Sequence, residues 1–281
     1  MKENSIAILF VDDSDCGLTH DYFASVFDSF KRTIEEEGYN LGFINSHFHQ
    51  KNRPTIVEQV KDKYDGVFVA CINYDHPEVQ ELFSSDIPLV LLDYELEGRV
   101  TVSSDNLGGI RSLAKYICEM GHKRIAYIMG DNNYVTQMRR DALLEECSKF
   151  GIEIPKEKLF YSMYRDMKKA AYYTEELLRM EEPPSCILYP DDFAAIGGIN
   201  IIRARGMDIP YDISVAGFDG LNLAMQFEPK LSTVHQDTVT IGQTVGKNLI
   251  QLIDDPSSVV PGTILVPTEL EKGRTIAKAY Y

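Results

Sequence analysis

What most constrains the fold of this chain is an alternation, sustained almost from end to end, of short apolar runs with stretches of helical spacing. Ile6-Ala7-Ile8-Leu9-Phe10-Val11 is short and apolar throughout, as a buried strand is. Phe23, Val26, Phe27, Phe30 and Ile34 then recur three and four residues apart, one face of a helix, and Gly38 suits the left-handed position that ends it. A strand over 41–45, a helix near 54–63, a strand over 65–70, a helix near 77–84 and a strand over 88–93 follow. A second series keeps the rhythm. It runs helix 105–120, strand 124–129, helix 136–149, strand 158–162, helix 167–180, strand 186–189, helix 192–205 and strand 213–218. Strands that alternate with helices form parallel sheets covered on both faces. Two such series imply two doubly wound α/β subdomains. The C-terminal part departs from this pattern. A strand-like segment at 231–236 precedes a helix whose apolar face carries Gly242, Val245, Gly246, Leu249, Ile250 and Ile253, and a final strand is expected near 263–270. Each helical glycine costs about 1 kcal/mol against alanine, so close packing is expected to require these two.

Composition removes several classes. With 44% apolar and 25% charged residues over 281 positions, disorder, collagen-like repeats and small disulfide scaffolds are excluded. The longest apolar runs, such as Ile87–Leu92, fall far below the roughly 20 residues a bilayer span needs. No secretory leader opens the sequence. Lys and Arg number 28 against 43 Asp and Glu, a net charge of −15. Nucleic-acid binding rests on cations displacing condensed counterions, so this chain should not bind duplex DNA at physiological salt. Its basic clusters are short, such as His122-Lys123-Arg124 and Arg139-Arg140. Five cysteines, none in a C-x-x-C pair, read as reduced and mostly buried side chains, which points to the cytoplasm.

The signatures of nucleotide-binding loops, zinc proteases and serine hydrolases are absent. His47 and His49 form an H-x-H that reads as a loop pair rather than a metal site. Asp12, Asp13 and Asp15 cluster past the first strand. Carboxylates there can hold Mg²⁺, accept from sugar hydroxyls, or simply cap a turn. Open α/β sheets bind ligands beyond the carboxyl ends of their strands. The residues there are Asp12, Asp13 and Asp93 in the first series, and Asp131, Asp191-Asp192 and Asp219 in the second, with Arg139 one turn into a helix. Tyr22, Phe23, Tyr74, Tyr164, Phe193 and Phe218 offer flat apolar surfaces. Carboxylate acceptors, a forked donor and aromatic platforms suit a neutral ligand rich in hydroxyls. Asp is also common in turns, so a solvated-turn reading stays open.

Five segments carry a resemblance. They are Val102-Ser103-Ser104-Asp105-Asn106, Gly121–Ile128, Pro190–Gly197, Ile209–Asp219 and Pro229–Gln236. In order and spacing the chain resembles LacI/GalR-family transcription regulators from Ile6 to about Arg274. The resemblance implies a type I periplasmic-binding-protein-like fold, with two doubly wound parallel-sheet subdomains joined by three crossovers near Gly121, Gln236 and Pro267. The subdomains would be 5–120 with 237–266 and 121–236 with 267–281. The family's N-terminal DNA-binding headpiece is absent from the sequence.

The resemblance further implies a small effector, sugar-like, held in a cleft by Asp12, Tyr22, Phe23, Arg139, Tyr164, Asp191, Asp219 and Gln236. Asp192 is expected to cap the helix that follows it. A homodimer is implied, with Val79, Leu82, Ile196 and Phe227 at its interface. No catalytic residue, metal or cofactor and no membrane is implied, and operator DNA would be reached only through the headpiece. Two departures bear on the effector. Ala142-Leu143 replaces the usual Gly-Phe after Arg139, and Tyr161-Ser162-Met163-Tyr164 replaces a glycine-rich turn. A transporter's solute-binding protein, marked by a leader, and a sugar-modifying enzyme, needing a carboxylate pair, are the alternatives on this architecture.

Overall fold

Strands that lie inside a parallel sheet are buried on both faces, which is why their sequences are apolar without alternation. The computed structural model, which describes residues 4–11, 17–44 and 53–279, bears this out. Every residue of β3 (Gly66–Ala70) and β4 (Leu89–Leu92) is buried. These strands belong to the first of two units, residues 1–104 with 237–266. Its sheet has the order β11-β5-β4-β3-β1-β2, all parallel, and adds β1 (Ser5–Phe10), β2 (Asn40–Phe43), β5 (Val100–Ser104) and β11 (Gly262–Val266). One face is covered by α1 (Asp21–Glu36) and α9 (Thr238–Asp254), the other by α2 (Ile56–Lys63) and α3 (Pro77–Phe83).

The second unit comprises 105–236 with 267–281. Four parallel strands, β7 (Leu159–Tyr161), β6 (Ile125–Met129), β8 (Cys186–Leu188) and β9 (Ser214–Ala216), stand in that order. An antiparallel ribbon of β10 (Thr233–Gln236) and β12 (Thr268–Glu271) accompanies them. Helices α4 (Asn106–Glu119) and α5 (Tyr134–Lys149) bury one core with β6 and β8, while α6 (Met167–Leu178) and α7 (Asp192–Ala204) bury the other. A short helix, α8 (Asn222–Met225), follows β9.

Helix starts repeat one solution. Asp105, Asn133, Asp166, Asp191 and Asp237 each accept a backbone N–H three residues on, at 2.7–2.9 Å, capping α4, α5, α6, α7 and α9. Gly38 has φ +82°, the left-handed conformation that ends α1.

Three features differ from the sequence reading. First, α4 belongs to the second unit, so the chain first passes between units after Ser104 rather than near Gly121. The reason is packing: Ile110, Leu113, Ala114 and Ile117 are buried against Ile125, Tyr127, Leu143 and Cys147. The other passages fall after Gln236 and Val266. Second, β5 was not expected as a strand, because Thr101, Ser103 and Ser104 interrupt its apolar pattern. The Thr101 hydroxyl donates to the Tyr94 carbonyl and the Ser103 hydroxyl to Asp93, which lets them be buried. Third, the final strand is two strands in two units, β11 and β12, broken at Pro267.

Candidate functional site

In the second unit the carboxyl ends of the strands gather most of the expected residues. Arg139 lies on α5 and is 4% exposed. Its Nε donates to the Asn106 side chain at 2.9 Å and one Nη to the Pro190 carbonyl at 3.3 Å. The guanidinium carbon lies 3.6 Å from the centroid of the Phe218 ring. Cation–π contact and hydrogen bonds on two edges fix the plane of a group that would otherwise be among the most mobile side chains.

Asp219 follows β9 in a backbone conformation that L-residues rarely adopt, φ +107°. Such strain persists where surrounding structure imposes it, and here both backbone groups are held. The Asp219 N–H donates to the Val234 carbonyl, and its carbonyl accepts from the Gln236 N–H. The Gln236 side chain, 4% exposed at the end of β10, donates to Asp219 Oδ1 at 2.7 Å. Burial pushes the Asp219 carboxyl well above its ordinary range. Asp191 and Asp192 add to that push, while Arg139 and the Gln236 hydrogen bond oppose it.

Of the paired acids, Asp191 and not Asp192 takes the cap of α7. Asp191, expected to line the ligand site, caps α7 through Ala194 N–H at 2.7 Å and also accepts the Arg165 N–H at 2.7 Å. Asp192, expected as the cap, turns inward instead, accepting from the Thr233 hydroxyl at 2.7 Å and the Leu221 N–H at 2.8 Å. The cap position is the last residue before helical backbone begins, and α7 begins at Asp192. Burial raises the Asp191 carboxyl and lifts that of Asp192 to about 7, against the hydrogen bonds each accepts.

Tyr164 is half-buried, its hydroxyl 2.9 Å from that of Thr136 on α5. Its ring lies against the backbone of Gly130, where a Cβ would collide with it. Sequence reasoning missed the contributions of Asn106 and Thr136. The signal for Asn106 was its place at the end of the Val102–Asn106 segment that carries the resemblance, which is the first turn of α4.

In the first unit, Tyr22 lies in the first turn of α1, is 7% exposed and donates to Asp93 Oδ2 at 2.9 Å. Asp93 follows β4 at φ +55° and accepts from Ser103 on its other oxygen. Phe23 is half-buried among Phe10, His20 and Phe27, with ring centroids 5.0, 4.8 and 6.1 Å away. Asp12, with Asp13, Asp15, Cys16, His47 and His49, lies outside the described residues.

The expected interface residues divide. Val79 and Leu82 are fully buried in the core beneath α3, so they face their own unit and not a partner. Ile196 and Phe227 are half-exposed. The basic clusters are engaged too: His122 is buried between the Ser185 hydroxyl and the Ala277 carbonyl, and burial lowers its pKa. Arg140 is bonded to Asp141 and to the Tyr161 hydroxyl.

Among the described residues no group of three or more His, Cys, Asp or Glu is placed to hold a metal ion, and no helix is long and apolar enough to cross a membrane. A cavity of about 340 Å³ in the second unit lies at the opposite, N-terminal ends of the strands, beside His122 and Ile152. It is separate from the Arg139 cluster. That cluster joins a fixed planar donor to a carboxylate–amide acceptor over an aromatic floor, an arrangement that can orient hydroxyls.

Comparison with known proteins places this arrangement. A sequence-family profile described as periplasmic binding protein-like domain matches residues 114–276. A relative from Bacillus subtilis (strain 168), named "Probable HTH-type transcriptional repressor ExuR", is 28% identical over 92% of this chain and 76% of its own. A structure from Bacillus cereus subsp. cytotoxis NVH 391-98, described as a LacI transcriptional regulator, matches with a TM-score of 0.90 at 22% identity, over 99% of this chain and 100% of its own. A LacI family transcriptional regulator from Enterococcus faecium, with bound ribose, matches at 0.83 and 21%, over 98% and 100%. At such identities the structural likeness shows the fold. The chain therefore belongs to the periplasmic binding protein-like family.

Proposed function

We propose that this domain senses a sugar or sugar derivative and passes the binding event to an operator-binding headpiece of the helix-turn-helix class, like that in the name of the Bacillus subtilis relative. The observation that carries the reading is the Arg139 guanidinium, laid flat on Phe218 and pinned by Asn106, in the same cluster as the Asp219–Gln236 pair. A forked donor and a carboxylate acceptor held in place before the ligand arrives suit vicinal hydroxyls, and little ordering entropy remains to be lost on binding. Tyr164 belongs to the same site. In the first unit we assign Tyr22, Phe23 and Asp12 to effector contact. The ribose bound by the Enterococcus faecium protein supports the ligand class.

Control of DNA binding then requires that the effector favour one of two states of the regulator, since a ligand with equal affinity for both shifts nothing. The domain works in the cytoplasm as a homodimer and catalyses no reaction. A thermal-shift screen of pentoses, hexoses, sugar acids, sugar phosphates and nucleosides tests the ligand class. A selective ligand at about 100 times its Kd should stabilise the folded chain by about 2.7 kcal/mol. A screen in which nucleosides shift the melting temperature and no sugar does would overturn it.

A further inference from the structure

We propose that Cys118 and Cys147 form a dithiol that a hydroperoxide converts into an intramolecular disulfide. The two sulfurs are 3.9 Å apart, within hydrogen-bond contact, although the residues are 29 positions apart in the chain. Cys118 is in the last turn of α4 and Cys147 in the last turn of α5. Closing to a sulfur–sulfur bond length of about 2.05 Å needs a shift of roughly 2 Å, within reach of side-chain rotation.

A second observation supplies access. Cys147 is fully buried, but Cys118 lines the cavity of about 340 Å³ at the N-terminal ends of the strands, with His122, Phe150, Ile152 and Glu153. A small peroxide fits that cavity easily and reaches Cys118, which is 7% exposed, before the fully buried Cys147. Contact with the Cys147 thiol draws the Cys118 thiol below its ordinary range, against burial and the carboxylates of Glu146 and Glu119. The same contact and burial push Cys147 up. Cys118 is thus the attacking sulfur and Cys147 the resolving one.

The chemistry balances with the peroxide as oxidant. The Cys118 sulfur attacks one peroxide oxygen, the O–O bond breaks, and the leaving hydroxide takes up the thiol's proton as water. The Cys147 sulfur then attacks the sulfenic sulfur, the S–S bond forms, and the S–O bond breaks. The hydroxide released takes up the second thiol's proton. Two thiols are oxidised and one peroxide is reduced to two waters.

The test treats the folded protein with equimolar hydrogen peroxide, blocks remaining thiols with an alkylating reagent, and maps peptides without reduction. The expected product joins the peptides carrying Cys118 and Cys147, the linked pair weighing two hydrogens less than the two free peptides, and the chain has lost two of its five thiols. Cys118→Ser and Cys147→Ser should each abolish it, and Cys186→Ser, in the same core cluster, should leave it intact. Should a serine variant fail to fold, the wild-type peptide map still decides. A folded chain that keeps all its thiols, a disulfide through Cys71 or Cys186, or a Cys118 sulfinic acid without a cross-link would each overturn the proposal.

Discussion

Arg139 is the side chain whose environment constrains its role most. Buried guanidinium groups are costly unless their donors are met, and here Asn106 and the Pro190 carbonyl meet two while Phe218 covers one face. Arg139→Lys should keep the charge but lose the fork and the stacking. Effector affinity is then expected to fall by about 1.5–3 kcal/mol, measured by calorimetry with whichever ligand the thermal screen selects. Unchanged affinity would move the site elsewhere. Asp192 carries a second prediction. Its carboxyl stands at about 7 when folded against an ordinary 3.8, with burial the main cause. Between those values the folded chain holds a proton that the unfolded chain has released, so stability falls as pH rises through this window and levels above it. Asp191 and Asp219, raised by the same burial, act with the same sign, and Arg139 opposes at Asp219. Urea unfolding should therefore show greater stability at pH 5 than at pH 8. Asp192→Asn, which keeps an acceptor for the Leu221 N–H, should remove about 1–3 kcal/mol of that difference. An unaltered slope in the variant would refute the assignment. At this scale the sequence was only partly legible: the acids at the strand ends could be picked out, but a cap and an inward acid one residue apart look the same until the first helical residue is known.

Elements were more legible than their partners. The face Ile110, Leu113, Ala114 and Ile117 announces a helix, yet periodicity says nothing about which sheet the face covers, and α4 covers that of the second unit. Val79 and Leu82 on α3 show the same limit, since three-residue spacing of apolar side chains serves a core or a partner equally well. β5 was hidden because the buried hydroxyls of Thr101 and Ser103 are met by acceptors, Tyr94 and Asp93, that lie on neighbouring turns rather than in its own sequence. The glycines of α9, by contrast, signalled their purpose correctly. A Cβ on Gly242 would strike the Val26 carbonyl oxygen and stand 2.7 Å from the Phe30 nitrogen, both backbone atoms of α1 that cannot rotate aside. The same close approach lets the Ser29 hydroxyl donate to the Val239 carbonyl and brings Ser25 within 2.7 Å of Thr238. Gly242→Ala gains about 1 kcal/mol of helix propensity but forces the two helices apart. Overpacking of this kind costs about 1–3 kcal/mol, and loss of the serine contacts adds to it. Chemical denaturation should show a net loss of stability. A gain would mean that α1 and α9 can separate freely.

For the whole chain, charge and assembly are the properties that matter. For the regulator proposed above, a net charge of −15 in this domain would leave DNA contact to the headpiece, and a two-headed operator reader needs its sensor domains paired, since two-fold symmetry in the protein matches two-fold symmetry in the site. Because Val79 and Leu82 are consumed by the first unit's core, the pairing expected for this chain must rest on residues such as Ile196 and Phe227, whose side chains remain half-exposed. The two groups of residues therefore respond differently to mutation. Val79→Ala removes buried methyl groups and should lower stability by about 2 kcal/mol while leaving the assembly state unchanged. Phe227→Asp places a charge where an apolar contact would form, and should shift the mass in solution from about twice 31.8 kDa toward a single chain without lowering the melting temperature of the monomer. Light scattering at several concentrations, read beside thermal melts of the same samples, separates the two effects. A dimer that survives Phe227→Asp and Ile196→Asp together would place the interface on other residues, and a dimer lost in Val79→Ala with stability intact would return α3 to it.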